Sequence, residues 1–331
     1  MVIYTKGIFC QDDLRIMFYN VENLFDTKDD SLKNDDDFLP DGFMRWTPRK
    51  YWEKLRNITR VITAVGGMHS PALVGLCEVE NDSVLFDLTK RSPLRVQEYE
   101  FIISHSPDRR GIDVALLYQR HQFKPLETHE YEIQFSRSRG RATRNILHVT
   151  GEFINGEIVD LFICHFPSRS GGQRETEPSR IDAASLLRTK TDSLLSQREN
   201  ANIIIMGDFN DHPDNKSLIK TLNARSIQSR IRSGELYNLF SHTPGEQDFG
   251  TYKYQRRWEV LDQFIVNDNL LLKGNTVKVK ENEAHIFRAE FLLEEDERYF
   301  GKKPFRTNFG PRYAGGFSDH LPIYMDLLIR E

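Results

Sequence analysis

Apolar residues in this chain fall into short unbroken runs, and most of those runs stop at a polar side chain. Ile203-Ile204-Ile205-Met206 ends at Gly207-Asp208-Phe209-Asn210. A run without polar alternation predicts a strand covered on both faces. Gly207 is read as letting the backbone turn at the strand end without a Cβ clash. Along an extended chain Asp208 and Asn210 then point the same way. The same form recurs where 14–19 stops at Asn20, 72–77 at Glu78 and 159–164 at His165. Further strands are predicted at 101–104, 113–118 and 146–149, and at 260–266, where Asp262 is the one carboxylate among apolar neighbours. A closing strand, 321–329, follows Ser318-Asp319-His320.

Helical spacing is confined to two stretches. Tyr51, Leu55, Ile58, Ile62 and Val65 recur at intervals of three and four, after the start signal Thr47-Pro48 and before the stop signal Gly66-Gly67. A second helix is expected over about 179–197, with Ile181, Ala184, Leu187 and Leu194 on one face. From Asp26 to Asp37 the chain is acidic, but it lacks the ligand alternation of a calcium loop and reads as a solvated loop. The alternation of strands and helices is that of an α/β protein. No repeat or linker interrupts it, so one domain over 1–331 is expected, with its core from about 13 to 331.

Composition narrows the function less than the pattern does. The chain has 331 residues, 39% hydrophobic and 11% aromatic, enough for a large core, and a net charge of −4. That charge argues against a general nucleic-acid coat while allowing a local basic patch. Arg137, Arg139, Arg141 and Arg144 form such a patch in sequence, with Arg109-Arg110, Arg169 and Arg256-Arg257 as further candidates for a phosphate track. Cys10, Cys77 and Cys164 have no metal spacing and are expected as buried thiols. No run is long enough for a transmembrane helix. The chain reads as cytoplasmic, or as secreted or periplasmic if a signal peptide has been removed. A monomer is expected, and no protein partner can be inferred.

Each polar tip has an ordinary explanation when taken alone. Asn20 and Asp319-His320 could be turn residues, His165 a hydrogen-bonded core histidine, and Asp262 the partner of some donor, for which a histidine is a common choice. Glu78 is harder to explain this way, because an ionised carboxylate at a buried strand end needs a cation or donors. Together, the tips are expected to place oxygen and imidazole groups at the carboxyl ends of the strands, where ligands gather in α/β sheets. Oxygen donors without thiolates indicate a hard cation, Mg²⁺ or Mn²⁺, and such a cation beside histidine donors suggests phosphoryl transfer.

Six ordered segments also resemble the endonuclease/exonuclease/phosphatase superfamily of DNase I-like proteins. They are Tyr19-Asn20-Val21-Glu22-Asn23, Gly75-Leu76-Cys77-Glu78-Val79-Glu80, Cys164-His165-Phe166, Gly207-Asp208-Phe209-Asn210, Leu261-Asp262-Gln263-Phe264 and Ser318-Asp319-His320. The loop Ser168-Arg169-Ser170-Gly171-Gly172 is similar to that of a bacterial nuclease-like branch. The resemblance implies a four-layer α/β sandwich, two mixed sheets packed face to face with helices outside. It implies Glu78 as principal metal ligand with Asn20 and Asp319 nearby, and Asp208 orienting the attacking water. It further implies Asn210 on a phosphate oxygen, Asp262 fixing the tautomer of His320, and His320 with His165 donating to the phosphoryl group. Ser168, Arg169 and Arg144 are expected at the substrate phosphate.

The expected function is that of a divalent-metal-dependent phosphodiesterase or endonuclease acting on nucleic acid. The alternative is a phosphatase or phospholipase of the same fold acting on inositol phosphates or lipid head groups. A non-catalytic binding domain is a third reading. DNA against RNA, endo- against exo-cleavage and one metal against two stay open at this level.

Overall fold

The structure is a computed structural model and describes residues 12–136, 142–242 and 248–330. Arg137, Arg139 and Arg141 lie outside the described residues. β1 (Asp12–Leu24) leads through an acidic loop to α1 (Pro48–Gly66) and β2 (Leu73–Val79), and a short helix, α2 (Asp82–Phe86), precedes β3 (Tyr99–Ile103) and β4 (Asp113–Gln119). β5 (Phe123–Tyr131), β6 (Ile146–Phe153) and β7 (Ile158–His165) form a meander, and α3 (Gln173–Gln197) connects it to β8 (Ile203–Asp208). β9 (Ala224–Ser226), β10 (Leu236–Asn238), the hairpin of β11 (Tyr252–Tyr254) with β12 (Arg257–Glu259), and β13 (Asp262–Asn267) follow. The chain then adds β14 (Val277–Val279) and β15 (His285–Ile286). Two hairpins come next, β16 (Leu293–Glu295) with β17 (Lys302–Pro304) and β18 (Asn308–Phe309) with β19 (Arg312–Tyr313), before the closing strand β20 (Ile323–Ile329).

Two seven-stranded sheets result. One has the order β14-β20-β1-β2-β4-β3, with β15 also on β20, and the other β5-β6-β7-β8-β13-β10-β9. Both are mixed: β1 is parallel to β2 and antiparallel to β20, and β8 is parallel to β7 and antiparallel to β13. Side-chain parity assigns the layers. Ile16 and Phe18 of β1 meet Ile204 and Met206 of β8 between the sheets, whereas Met17 and Tyr19 face outward onto Leu55, Ile58 and Ile62 of α1. Ile203 and Ile205 face outward onto Ala183, Ala184 and Leu187 of α3. The unbroken apolar runs follow from this, since each central strand is covered on both faces. Each fully buried aliphatic side chain contributes about 1.5–3 kcal/mol. The fold is thus a four-layer α/β sandwich, helix on sheet on sheet on helix.

Several details differ from the sequence reading. α3 begins at Gln173 rather than near 179, with Pro178 inside it. Pro178 lies past the first turn, since the Thr176 N–H already bonds the Gly172 carbonyl at 3.1 Å, so it removes the helical donor to the Arg174 carbonyl; Arg180 covers the neighbouring Gln173 carbonyl with a 3.0 Å hydrogen bond. Gly207 lies within β8 and does not make the turn. Its lack of a side chain answers a close approach instead, since a Cβ there would sit 2.4 Å from the Cys164 carbonyl oxygen. The acidic loop is not wholly solvated: Asp35 is buried and accepts from the Asp30 N–H at 3.0 Å. Cys77 and Cys164 are buried free thiols, and Cys10 lies outside the described residues. Among the described residues no helix is long and apolar enough to cross a membrane.

Candidate active site

The strand registers themselves assemble the site. His165 pairs with Asp208 across β7–β8, and Asp208 pairs with Asp262 across β8–β13, so the three side chains stand in a row on adjacent strands. Asn20 pairs with Cys77 across β1–β2, which sets it beside Glu78. Regular alternation would carry Glu78 to the outer face with Leu76. A register irregularity between Cys77 and Val79 and a left-handed backbone at Glu78 (φ 64°) turn it toward the sheet edge instead. Asp262 opens β13, and Asp319-His320 precedes β20. These three therefore come from the amino ends of antiparallel strands, where the sequence reading had expected carboxyl ends for Asp319 and His320.

At that edge the two sheets are bridged by polar contacts. The Asn20 side-chain amide donates to Asp208 Oδ2 at 3.1 Å and faces Glu78 Oε1 at 3.5 Å, while its oxygen accepts from the Glu22 N–H at 3.0 Å. His165 Nε2 lies 3.6 Å from Asp208 Oδ2 and 3.9 Å from Glu78 Oε1. His320 Nε2 lies 3.9 Å from the same Asp208 oxygen, and its Nδ1 is 2.6 Å from Asp262 Oδ2. Asp208 is oriented from its other side by the Asn210 N–H, 2.9 Å from Oδ1. That bond closes a turn in which Asn210 adopts φ 50°, a conformation asparagine tolerates. The remaining Asn210 amide is anchored to the Phe166 carbonyl at 3.1 Å.

The two histidines are driven to opposite charge states. Burial lowers His165 well below its ordinary range, and the Arg144, Arg110 and His320 cations add to this, so it is neutral. Burial would lower His320 as well, but the Asp262 and Asp208 carboxylates outweigh it and hold the imidazole well above its usual pKa, so it is cationic. Burial lifts Asp208 to about 7, an effect that His320 opposes and Asp262 reinforces. A neutral imidazole, an imidazolium and a carboxylate near neutrality around one gap form a set able to move protons at neutral pH.

An acidic and histidine cluster that could hold a cation is present. Single ligand atoms of Asp208, Asp262 and His320 all lie within 4.8 Å of one another. Their bonding makes this set a poor one, since an imidazolium offers no lone pair and Asp262 Oδ2 is committed to it. Glu78 is better disposed: Oε2 accepts from the Asn23 N–H at 2.8 Å, and Oε1 faces the gap. The donors around the gap are oxygens and imidazole without thiolate, which fits a hard divalent cation.

Several residues here had no role assigned in sequence, Glu22 among them although it lies in one of the six segments. Arg306 Nη2 pairs with Asp319 at 3.0 Å and with Glu22 at 3.1 Å. Glu22 is buried and also accepts from the Thr307 N–H at 2.6 Å. Beneath it Lys54 is fully buried, and burial lowers it to about 8 against the pull of Glu22 and Asp319. Tyr252 lies against the His320 ring with centroids 4.9 Å apart.

The residues expected at the substrate phosphate are engaged elsewhere. Arg169 is held by Asn215 at 2.9 Å, Glu259 at 3.2 Å and Asp211 at 3.4 Å. Ser168 accepts from the Ser170 N–H at 3.2 Å, and the Gly172 N–H is used by the Arg169 carbonyl. Arg144 is buried against the Phe166 carbonyl at 2.7 Å and Asp108 at 3.3 Å, with no partner for Nε among the described residues.

A family model described as "Endonuclease/Exonuclease/phosphatase family" matches residues 15–328. No curated protein matches in sequence. Among solved structures, an endonuclease/exonuclease/phosphatase family protein from Bacteroides thetaiotaomicron superposes with TM-score 0.60 at 15% identity, covering 96% of this chain and 98% of that one. A mannosyl-6-phosphatase from the same organism gives 0.58 at 16%, covering 95% and 99%. D. rerio TDP2 complexed with a single-strand DNA product gives 0.56 at 15%, covering 95% and 98%. At these identities the structures speak to the fold alone, and on the extent of the family match this chain belongs to the endonuclease/exonuclease/phosphatase family, whose members are phosphoesterase hydrolases.

Proposed function

We propose that the protein is a divalent-cation-dependent phosphodiesterase that hydrolyses nucleic-acid phosphodiesters by in-line attack of water. The observation that carries this reading is the convergence of neutral His165 and cationic His320 on one oxygen of Asp208, at 3.6 and 3.9 Å. In this reading Asp208 orients the attacking water and accepts its proton as the bond to phosphorus forms. His320, fixed by Asp262, donates to the phosphoryl oxygens as charge accumulates. Neutral His165 donates from Nε2 to the same group, and the second side-chain N–H of Asn210, the one not bonded to the Phe166 carbonyl, holds a phosphate oxygen. The leaving oxygen departs opposite the water.

Mg²⁺ or Mn²⁺ would be held by Glu78 and Asp319; Asn20, whose side-chain N–H₂ faces Glu78 and Asp208, would reach it or its waters through the side-chain oxygen on a flip of the amide. Bound there, a divalent cation supplies charge neutralisation and polarises a phosphate oxygen. Arg306 keeps Asp319 oriented by pairing with it and with Glu22.

Similar structures include both a mannosyl-6-phosphatase and a TDP2 bound to single-strand DNA product, so the substrate is a question for experiment. A panel of single-stranded and duplex DNA, RNA, bis-p-nitrophenyl phosphate and phosphomonoesters, assayed with Mg²⁺ and with Mn²⁺, tests the reading. Faster turnover of diesters than of monoesters supports it. Turnover of monoesters alone replaces it with the phosphatase reading.

A further inference from the structure

Beside the reaction centre lies a cavity of about 410 Å³ that the family segments touch only at Asp319. Three hairpins build it: β11–β12, β16–β17 and β18–β19. Its inner wall contains Asp319 and Tyr252, so it opens beside the ring of His320. The hairpins are locked together by the Lys253–Asp296 pair at 3.0 Å, both side chains buried, and by Lys253 donating to the Phe300 carbonyl at 2.7 Å. The cavity is therefore a built feature of this part of the chain.

Its chemistry departs from that of the whole protein. The chain carries a net charge of −4, yet the cavity lining has five cationic side chains against two carboxylates. Lys253 is neutralised by Asp296, Lys303 by Glu294 at 3.7 Å, and Arg306 by Asp319 and Glu22. Arg298 and Arg312 have no carboxylate partner among the described residues, and both are exposed. Three cations crowd one ring: Lys303, Arg306 and Arg312 lie 4.4, 5.5 and 5.6 Å from the Phe309 centroid. Arg298 lies 5.2 Å from the ring of Tyr299. Like charges gathered on aromatic faces repel one another, and an anion placed among them relieves that repulsion.

We infer that this cavity is the subsite for a nucleotide flanking the scissile phosphate of a single-stranded polynucleotide, with its base against Phe309 and Tyr299 and its own phosphate between Arg298 and Arg312. Aromatic faces joined to cations are the combination that holds single strands, because every base has a face to stack and every nucleotide a phosphate. The volume is on the scale of one nucleotide, and a base must leave its partner strand to lay its face on these rings. A base still paired within a duplex cannot enter, so the preference is for single strands. This assignment deepens the phosphodiesterase reading and rests on it for its place in catalysis.

The test separates binding from turnover. Fluorescence anisotropy of a labelled eight-nucleotide DNA strand is measured in EDTA, where no metal-dependent cleavage occurs, for wild type, Arg298→Ala/Arg312→Ala, Arg312→Glu and Phe309→Ala. The arginine variants are at exposed positions and report even if Phe309→Ala fails to fold. Each variant should bind roughly tenfold more weakly than wild type. The salt dependence should become shallower in the arginine variants, by about 0.7 in log–log slope for each phosphate no longer neutralised. A duplex of equal length should bind more weakly than the strand. Unchanged affinity in all variants, or equal binding of duplex and strand, overturns the subsite. So does inositol hexakisphosphate binding as tightly as the strand with no loss in Phe309→Ala, which would assign the cavity to small polyphosphates. If wild type binds the strand through these residues but cleaves no diester with Mg²⁺ or Mn²⁺, the catalytic reading fails and the subsite stands. If Mg²⁺-dependent cleavage of the strand relative to bis-p-nitrophenyl phosphate is the same in all variants, the subsite fails and the catalytic reading stands.

Discussion

His320 Nδ1 and Asp262 Oδ2 are 2.6 Å apart, both buried, although 58 residues separate them in the chain. The carboxylate holds the imidazole as a cation and fixes which nitrogen faces Asp208. Acting as one unit, the pair has a specific mutational signature. Asp262→Asn and His320→Ala should each lower kcat by about 10²–10⁴, and the double variant should be little worse than His320→Ala. Steady-state kinetics on one diester measures all three, and losses that simply multiply would show independent roles.

Glu78 offers the gap a carboxylate oxygen that only distant donors approach. Glu78→Gln preserves the shape and removes the charge, so Mn²⁺ should bind roughly tenfold or more weakly. Isothermal titration with Mn²⁺ reads this without turnover. Equal affinity in wild type and variant would remove Glu78 from the ligand set.

Gly207 sits where β8 passes the Cys164 carbonyl, directly before the paired residues His165 and Asp208. Gly207→Ala should destabilise the protein by about 1–3 kcal/mol or more, through overpacking against backbone. The same shift should lower kcat by displacing Asp208. Urea denaturation checks the first effect, and an unchanged midpoint would show that the strands can part at no cost.

Lys54 is fully buried beneath Glu22, and burial lowers its pKa to about 8 from 10.5. Below pH 8 the ammonium is charged in both folded and unfolded chains, and its desolvation opposes folding. Between pH 8 and 10.5 the unfolded chain binds more protons, so stability contributed at this site rises with pH. Urea midpoints of wild type and Lys54→Met at pH 7.5 and 9.5 should show wild type gaining relative to the variant at the higher pH. A gap that stays constant or closes would contradict this.

What was legible in the sequence was whatever a strand end writes locally. The runs ending at Asn20, Glu78, His165 and Asp208 marked buried strands and their edge, because apolar strands covered on two faces leave their polar tips conspicuous. The four-layer arrangement came instead with the family resemblance of those segments. Arg306 and Lys54, and their grouping with Glu22, were not legible: Glu22 and Arg306 stand 284 residues apart, and no spacing rule links them. Tyr252 meets His320 through an isolated bridge between a hairpin and a strand entry, which leaves no periodic trace. Arg169 was read as free to meet phosphate because the carboxylates that hold it, Asp211 after β8 and Glu259 at the end of β12, lie far from it in sequence. Gly207 was assigned to a turn since a sequence shows that a side chain is missing but not what would collide with one.

Hydrolysis of a phosphodiester at this edge of the sandwich should depend on a divalent cation. A 5′-labelled single-stranded oligonucleotide incubated with wild type and with Asp208→Asn, in Mg²⁺ and in EDTA, tests this. Wild type should cleave in Mg²⁺ and not in EDTA, and Asp208→Asn should cleave at least about a hundredfold more slowly. Undiminished cleavage in EDTA, or equal rates for the two proteins, would contradict it.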